Sequence, residues 1–117
     1  VAHPLLGLGR VLLEKGATAR AETRLREALE IRKKALPPTH GAIGEAKMLL
    51  GRCLAAQDQH RDAESLLVDA YQTLREARGV SHSSTKKALI RLVDFYDEWG
   101  RQEKAEQYRA DLSSPAL

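Results

Sequence analysis

The sequence predicts an all-α protein, a stack of about six antiparallel helices arranged as three helical hairpins, the first of them shortened. Three observations predict this. The chain repeats itself every 42 residues: Leu50, Gly51 and Arg52 fall on Leu8, Gly9 and Arg10, Leu54 on Leu12, Ala63-Glu64 on Ala21-Glu22, Leu67 on Leu25 and Ala70 on Ala28. In the other direction Leu50 falls on Leu92, Leu54 on Tyr96 and Ala63-Glu64 on Ala105-Glu106. A fixed period of this length marks a stacked repeat architecture. Within each unit the apolar residues recur at helical spacing, so that Leu50, Gly51 and Leu54 share one face and Ala63, Leu67 and Ala70 another. The composition agrees, being rich in Ala, Leu, Arg and Glu with only four prolines and 4% aromatic residues, so Leu and Ala must do most of the packing.

In chain order, residues 4–15 form the first helix, about one turn shorter than its copies, with Pro4 at a permitted first position. Leu5, Leu8 and Leu12 face the core. Gly16 ends it. The second helix runs from Thr18 or Ala19 to Ala35 with a stripe of Leu25, Ala28 and Leu29 bounded by Ile31 or Arg32, and Pro37-Pro38 stops it. Thr39 is the expected cap of the third helix, which runs to about Gln57. Asp58, which tolerates left-handed backbone, stands where the other units have Gly16 and Gly100. The fourth helix spans about Arg61 to Arg78 and stops at Gly79. Ser81 to Ser84 offer caps for the fifth, which ends near Trp99, and a short sixth ends by Leu112. The repeats then lie at about 1–39, 40–81 and 82–112, and residues 113–117 form a flexible tail. Small residues at Gly9, Gly51, Ala21, Ala63 and Ala105 permit close helix crossings that larger side chains would force apart.

A chain of 117 residues with 43% hydrophobic content is one domain with enough apolar material for a linear core. No apolar run reaches membrane-spanning length and no signal peptide is apparent, so the expected location is cytoplasmic. The first residue is Val and the first helix is short, which leads to the expectation of a piece cut from a longer protein. From Arg20 to Lys34 six basic residues face three acidic ones, a balance of +3 that equals the formal charge of the whole chain. Such a patch can bind phosphates, but Glu22 with Arg26, and Glu27 with the later basic residues, stand at intrahelical pairing distances, and cations suit a helix C-terminus. It is read as a solvated outer face, not a nucleic-acid site.

No phosphate loop, zinc spacing or serine-elbow motif occurs, and no cofactor or metal is expected. His40 and His82 occupy equivalent connector positions and are expected to pack or cap. Cys53 lies beside Arg52, which could lower its pKa, although a small buried hydrophobe is the default for a cysteine on a packing helix. The cluster of Asp94, Asp97 and Glu98 lacks a partner base and reads as a charged face. The chain is not expected to be an enzyme.

The pattern L-G-x-x-L-x-x-x-G-x-x-x-x-A-E-x-x-L-x-x-A resembles the tetratricopeptide repeat, whose usual period is 34 residues. The longer spacing and the run AETRLREALEIRKKALPPTH are similar to the variant found in kinesin light chains and many bacterial regulatory proteins, and DEWGRQEKAEQYRADL resembles C-terminal repeats of bacterial serine/threonine kinases. This resemblance implies a right-handed solenoid in which the first helix of each hairpin lines a concave groove that binds a peptide or a partner helix. Carried over by position, the groove presents Leu6, Arg10 and Leu13, then Glu45, Met48 and Arg52, then Lys87, Ile90 and Asp94. Arg10 and Arg52 either hold carboxylates by paired hydrogen bonds or pair with neighbours such as Glu14 and Asp94. The Lys/Asn clamp of chaperone-tail binders and the paired asparagines of kinesin light chains are both replaced here. The expectation is therefore a non-catalytic protein-interaction scaffold within a larger bacterial regulatory protein. The alternative is self-assembly into a homodimer or stack through the ends, with Leu5, Leu6 and Leu13 at one and Tyr108 and Leu112 at the other.

Overall fold

Five helices follow one another in the computed structural model, which describes residues 16–113: α1 (Thr18–Ala35), α2 (Gly41–Ala56), α3 (His60–Arg78), α4 (Ser83–Trp99) and α5 (Gln102–Ser113). No strand occurs among the described residues. The helix expected over residues 4–15 lies outside them, as does the end of the tail. Each helix packs on the next in sequence, and α2 also touches α4, so the hairpins α2–α3 and α4–α5 stand side by side with α1 against α2.

The 42-residue period reappears as backbone geometry. Gly16, Asp58 and Gly100 all turn the chain at positive φ, 81°, 61° and 81°, so the one aspartate in the series adopts the left-handed form that the two glycines adopt freely. The α1 helix stops where expected, because Leu36 precedes a proline and is held extended at φ −129° and ψ 153°.

Both connectors cap with histidine. Thr39, the expected cap, does not serve; the His40 ring Nδ1 accepts the Ala42 amide at 3.0 Å, and 42 residues on the His82 ring Nδ1 accepts the Ser84 amide at 3.1 Å. Each ring satisfies one of the amides that a helix start leaves unpaired. Replacing either histidine by alanine is expected to cost about 1 kcal/mol in urea unfolding; a loss within error of zero at both positions would show that the rings do not cap in solution.

The core is a continuous row of leucines and alanines. Ala21, Ala63 and Ala105 are each fully buried, in the close crossings that their size permits. Gly51 lies against Leu67, where an added Cβ would stand 2.8 Å from the leucine Cγ. Toward the last hairpin the core turns aromatic, with Tyr96, Phe95, Trp99 and Tyr108 in mutual ring contact.

Candidate functional site

The face that the repeat places on its first helices is defined by residues at matching register: Glu45, Met48 and Arg52 on α2, and Lys87, Ile90 and Asp94 on α4. Leu6, Arg10 and Leu13 lie outside the described residues, as does Glu14. On α4 all three side chains are exposed, and Ile90 keeps 46% of its surface. On α2 all three are half-buried, and Met48 packs against the core. Arg52 has interactions of its own within the chain.

Glu45 differs from the rest in being engaged by two cations. Its carboxylate accepts the Arg78 guanidinium at 2.9 Å from the end of α3 and lies 3.9 Å from that of Arg32, at the end of α1. The buried Arg32 also donates to the Ala42 carbonyl. Arg78 continues to the Ser84 hydroxyl at 3.0 Å, which lies 2.8 Å from the His82 ring. This network ties four helices and one connector together, and it needs Gly41, since a Cβ there would sit 2.5 Å from the Arg78 Nε. Glu45 is thus held as a tie between repeats, with its charge already answered. The roles of Arg78 and Gly41 have no repeat counterpart to announce them. Arg32 did leave a signal, because it stands where the next unit has the buried Leu74.

A second tie joins α1 to the end of α2. Gln57 donates to Glu22 at 2.9 Å, and Cys53 donates its thiol to the Thr18 carbonyl at 3.0 Å. The Gln57 hydrogen bond, followed by that of Arg26, holds the Glu22 carboxyl below its ordinary range. Burial pushes the Cys53 thiol up, and the side chain is fully buried, in keeping with the small buried hydrophobe that is the default for a cysteine on a packing helix. On the outer face Glu22 pairs with Arg26 as expected, whereas Glu27 pairs backward with Arg24. A cleft between α1 and α3 is lined by Leu29, Leu50, Leu54 and Leu66 together with Arg26 and Asp62. Among the described residues no group of His, Cys, Asp or Glu could hold a metal ion, and no helix is long and apolar enough to cross a membrane.

Hairpins turned at one repeat position and packed in sequence order define a helical-repeat protein. Residues 5–41 match the family model of the tetratricopeptide repeat. No curated protein matches the chain. Among solved structures it is similar to a crystal structure of Podosopora anserina kinesin light chain nearly identical TPR-like repeats, a single-substitution variant, with a TM-score of 0.71 and 24% sequence identity over 94% of this chain and 54% of that one. The chain therefore spans about half the length of that structure, and the likeness is one of fold.

Proposed function

We propose that the face shared by α2 and α4 binds a peptide or helix of a protein partner, and that the chain is a non-catalytic interaction scaffold. One observation carries this. Among the described residues only Ile90 and Leu112 are large apolar side chains left exposed, and Ile90 sits at the centre of the face, beside Met48 in register and between the charges of Lys87 and Asp94. An apolar centre with a polar rim is the usual anatomy of a protein interface. Tetratricopeptide repeats in general mediate protein–protein interactions, which agrees. In the fuller form of this proposal the stack is right-handed, a helix over residues 4–15 completes a first repeat over 1–39 ahead of those at 40–81 and 82–112, residues 113–117 trail as a tail, and Leu6, Arg10 and Leu13 extend the groove. The whole would serve as a cytoplasmic regulatory module of a larger bacterial protein such as a kinase.

The test is photo-crosslinking in a lysate of the source organism. A benzoylphenylalanine at position 90 is expected to trap a discrete protein, while the same probe at the exposed position 30, on the other side, traps none. Equal yields at both positions, or none at position 90, would remove the groove from consideration. Assembly through the chain ends is the second reading, favoured by Leu112, which is 41% exposed.

A further inference from the structure

We infer that α4 is also a dimerisation face, on which a second copy of this chain docks its own α4 in antiparallel register. The observation is the order of charges along the exposed side of that helix. Lys86, Lys87 and Arg91 come first and Asp94 and Glu98 last, with Ile90 beside Arg91 next to the midpoint, and all six are exposed. Among the described residues none of the five charged side chains has an ion-pair or side-chain hydrogen-bond partner, whereas the neighbouring Asp97 is taken by Arg109 at 2.6 Å.

Apart from Arg91 with Asp94 three residues on, this order is unfavourable for the helix alone. Lys87 with Arg91, and Asp94 with Glu98, are like charges four residues apart, which destabilise a helix. Glu98 lies in the last turn, where the helix dipole disfavours an anion. The repeat does not demand these residues either, since their counterparts on α2 at Lys86, Arg91 and Glu98 are Gly44, Leu49 and Ala56. Local rules broken on an exposed face point to a use outside the helix.

A face whose first half is basic and second half acidic is complementary to itself under a two-fold rotation. Turning a second α4 antiparallel about a point between Arg91 and Asp94 brings Lys87 of each copy opposite Glu98 of the other and Arg91 opposite Asp94, with Lys86 beside the Lys87 pair, sets the two Ile90 side chains on either side of the axis and opposes the two helix dipoles. Lys86 and Glu98 are twelve residues apart, about 18 Å along a helix, so the contact is one helix face long and belongs with weak, transient interfaces. Charge complementarity of this kind also sets partner choice more than strength. Because Ile90 is shared, a partner in the groove would displace the second copy.

Sedimentation of the full chain over a concentration series tests this, with Lys86→Glu/Lys87→Glu and Asp94→Lys/Glu98→Lys as block variants checked for helicity by circular dichroism. The wild type is expected to dimerise weakly and less so as salt rises. Each block variant alone should weaken the dimer at least about tenfold, and an equimolar mixture of the two should regain it as a heterodimer. A wild type that stays monomeric throughout overturns the proposal. So does a dimer indifferent to both variants, which would locate assembly at the chain ends. These outcomes are independent of the crosslink at position 90: a trapped partner with a monomeric chain leaves the groove standing and removes the dimer.

Discussion

Replacing Tyr96 by alanine is expected to cost about 3–5 kcal/mol, the largest loss of any single truncation in the last hairpin. Tyr96 is 1% exposed. Its ring lies 5.2 Å from that of Phe95 and 5.8 Å, stacked, from that of Tyr108. Its hydroxyl donates to the Glu64 carboxylate on α3 at 2.7 Å. Truncation therefore opens a cavity where three helices meet and leaves Glu64 without its donor. Domains of this size have only about 5–15 kcal/mol to lose, so α4 and α5 should loosen well below the melting point of the wild type. Tyr96→Phe keeps the packing and should cost only about 1–2 kcal/mol. Urea midpoints would separate the two, and an alanine variant no weaker than the phenylalanine one would mean that the aromatic cluster is not packed in solution.

The same cluster sets the alkaline limit. Burial raises the pKa values of Tyr71, Tyr96 and Tyr108 above the ordinary tyrosine value, with nearby carboxylates adding to the effect: Asp111 for Tyr71 and Tyr108, Glu64 for Tyr96 and Tyr108. Each folded-state value lies above that of the unfolded chain, so the stabilisation is full below about pH 10, the unfolded tyrosine value, and declines as pH rises beyond it. Tyr96→Phe should flatten that decline.

Gly51→Leu is expected to be the second large loss, about 3 kcal/mol. Alanine in place of a helical glycine ordinarily gains up to about 1 kcal/mol. Here the new Cβ would meet Leu67 Cγ at 2.8 Å and Cδ2 at 2.9 Å. Leu67 is 2% exposed and cannot step aside, so the clash outweighs the propensity and grows with the side chain. Leu67→Ala alone should cost about 3 kcal/mol through the cavity it leaves. The double variant Gly51→Leu/Leu67→Ala should fall short of the sum by about 1–2 kcal/mol, because the incoming leucine fills the vacated space. Strict additivity would show that α2 and α3 do not cross at these residues.

The helices were legible because their signals are local. Leu36 before Pro37, the left-handed series Gly16, Asp58 and Gly100, and the Gly79 stop each act through a few bonds of backbone, and the structure realises them within a residue or so. The caps were half legible. The recurrence of His40 and His82 marked the position, but propensity favoured Thr39, and only the ring geometry shows which side chain reaches the amide. Within the candidate site the register of Met48 with Ile90 followed from the period alone. The engagement of Glu45 did not, because its partners Arg32 and Arg78 lie on other helices and neither recurs in the repeat.

A 42-residue recurrence of small and large apolar residues by itself determined the helical hairpins, their turns and the alanines and glycine at their crossings, since periodicity and backbone sterics act along the chain. Only the tertiary structure decided which charges are spent. It closes Glu45 between two arginines and Asp97 on Arg109, and among the described residues it leaves the five exposed charges of α4 unanswered, because ion pairing depends on distances between helices that no spacing in the sequence encodes.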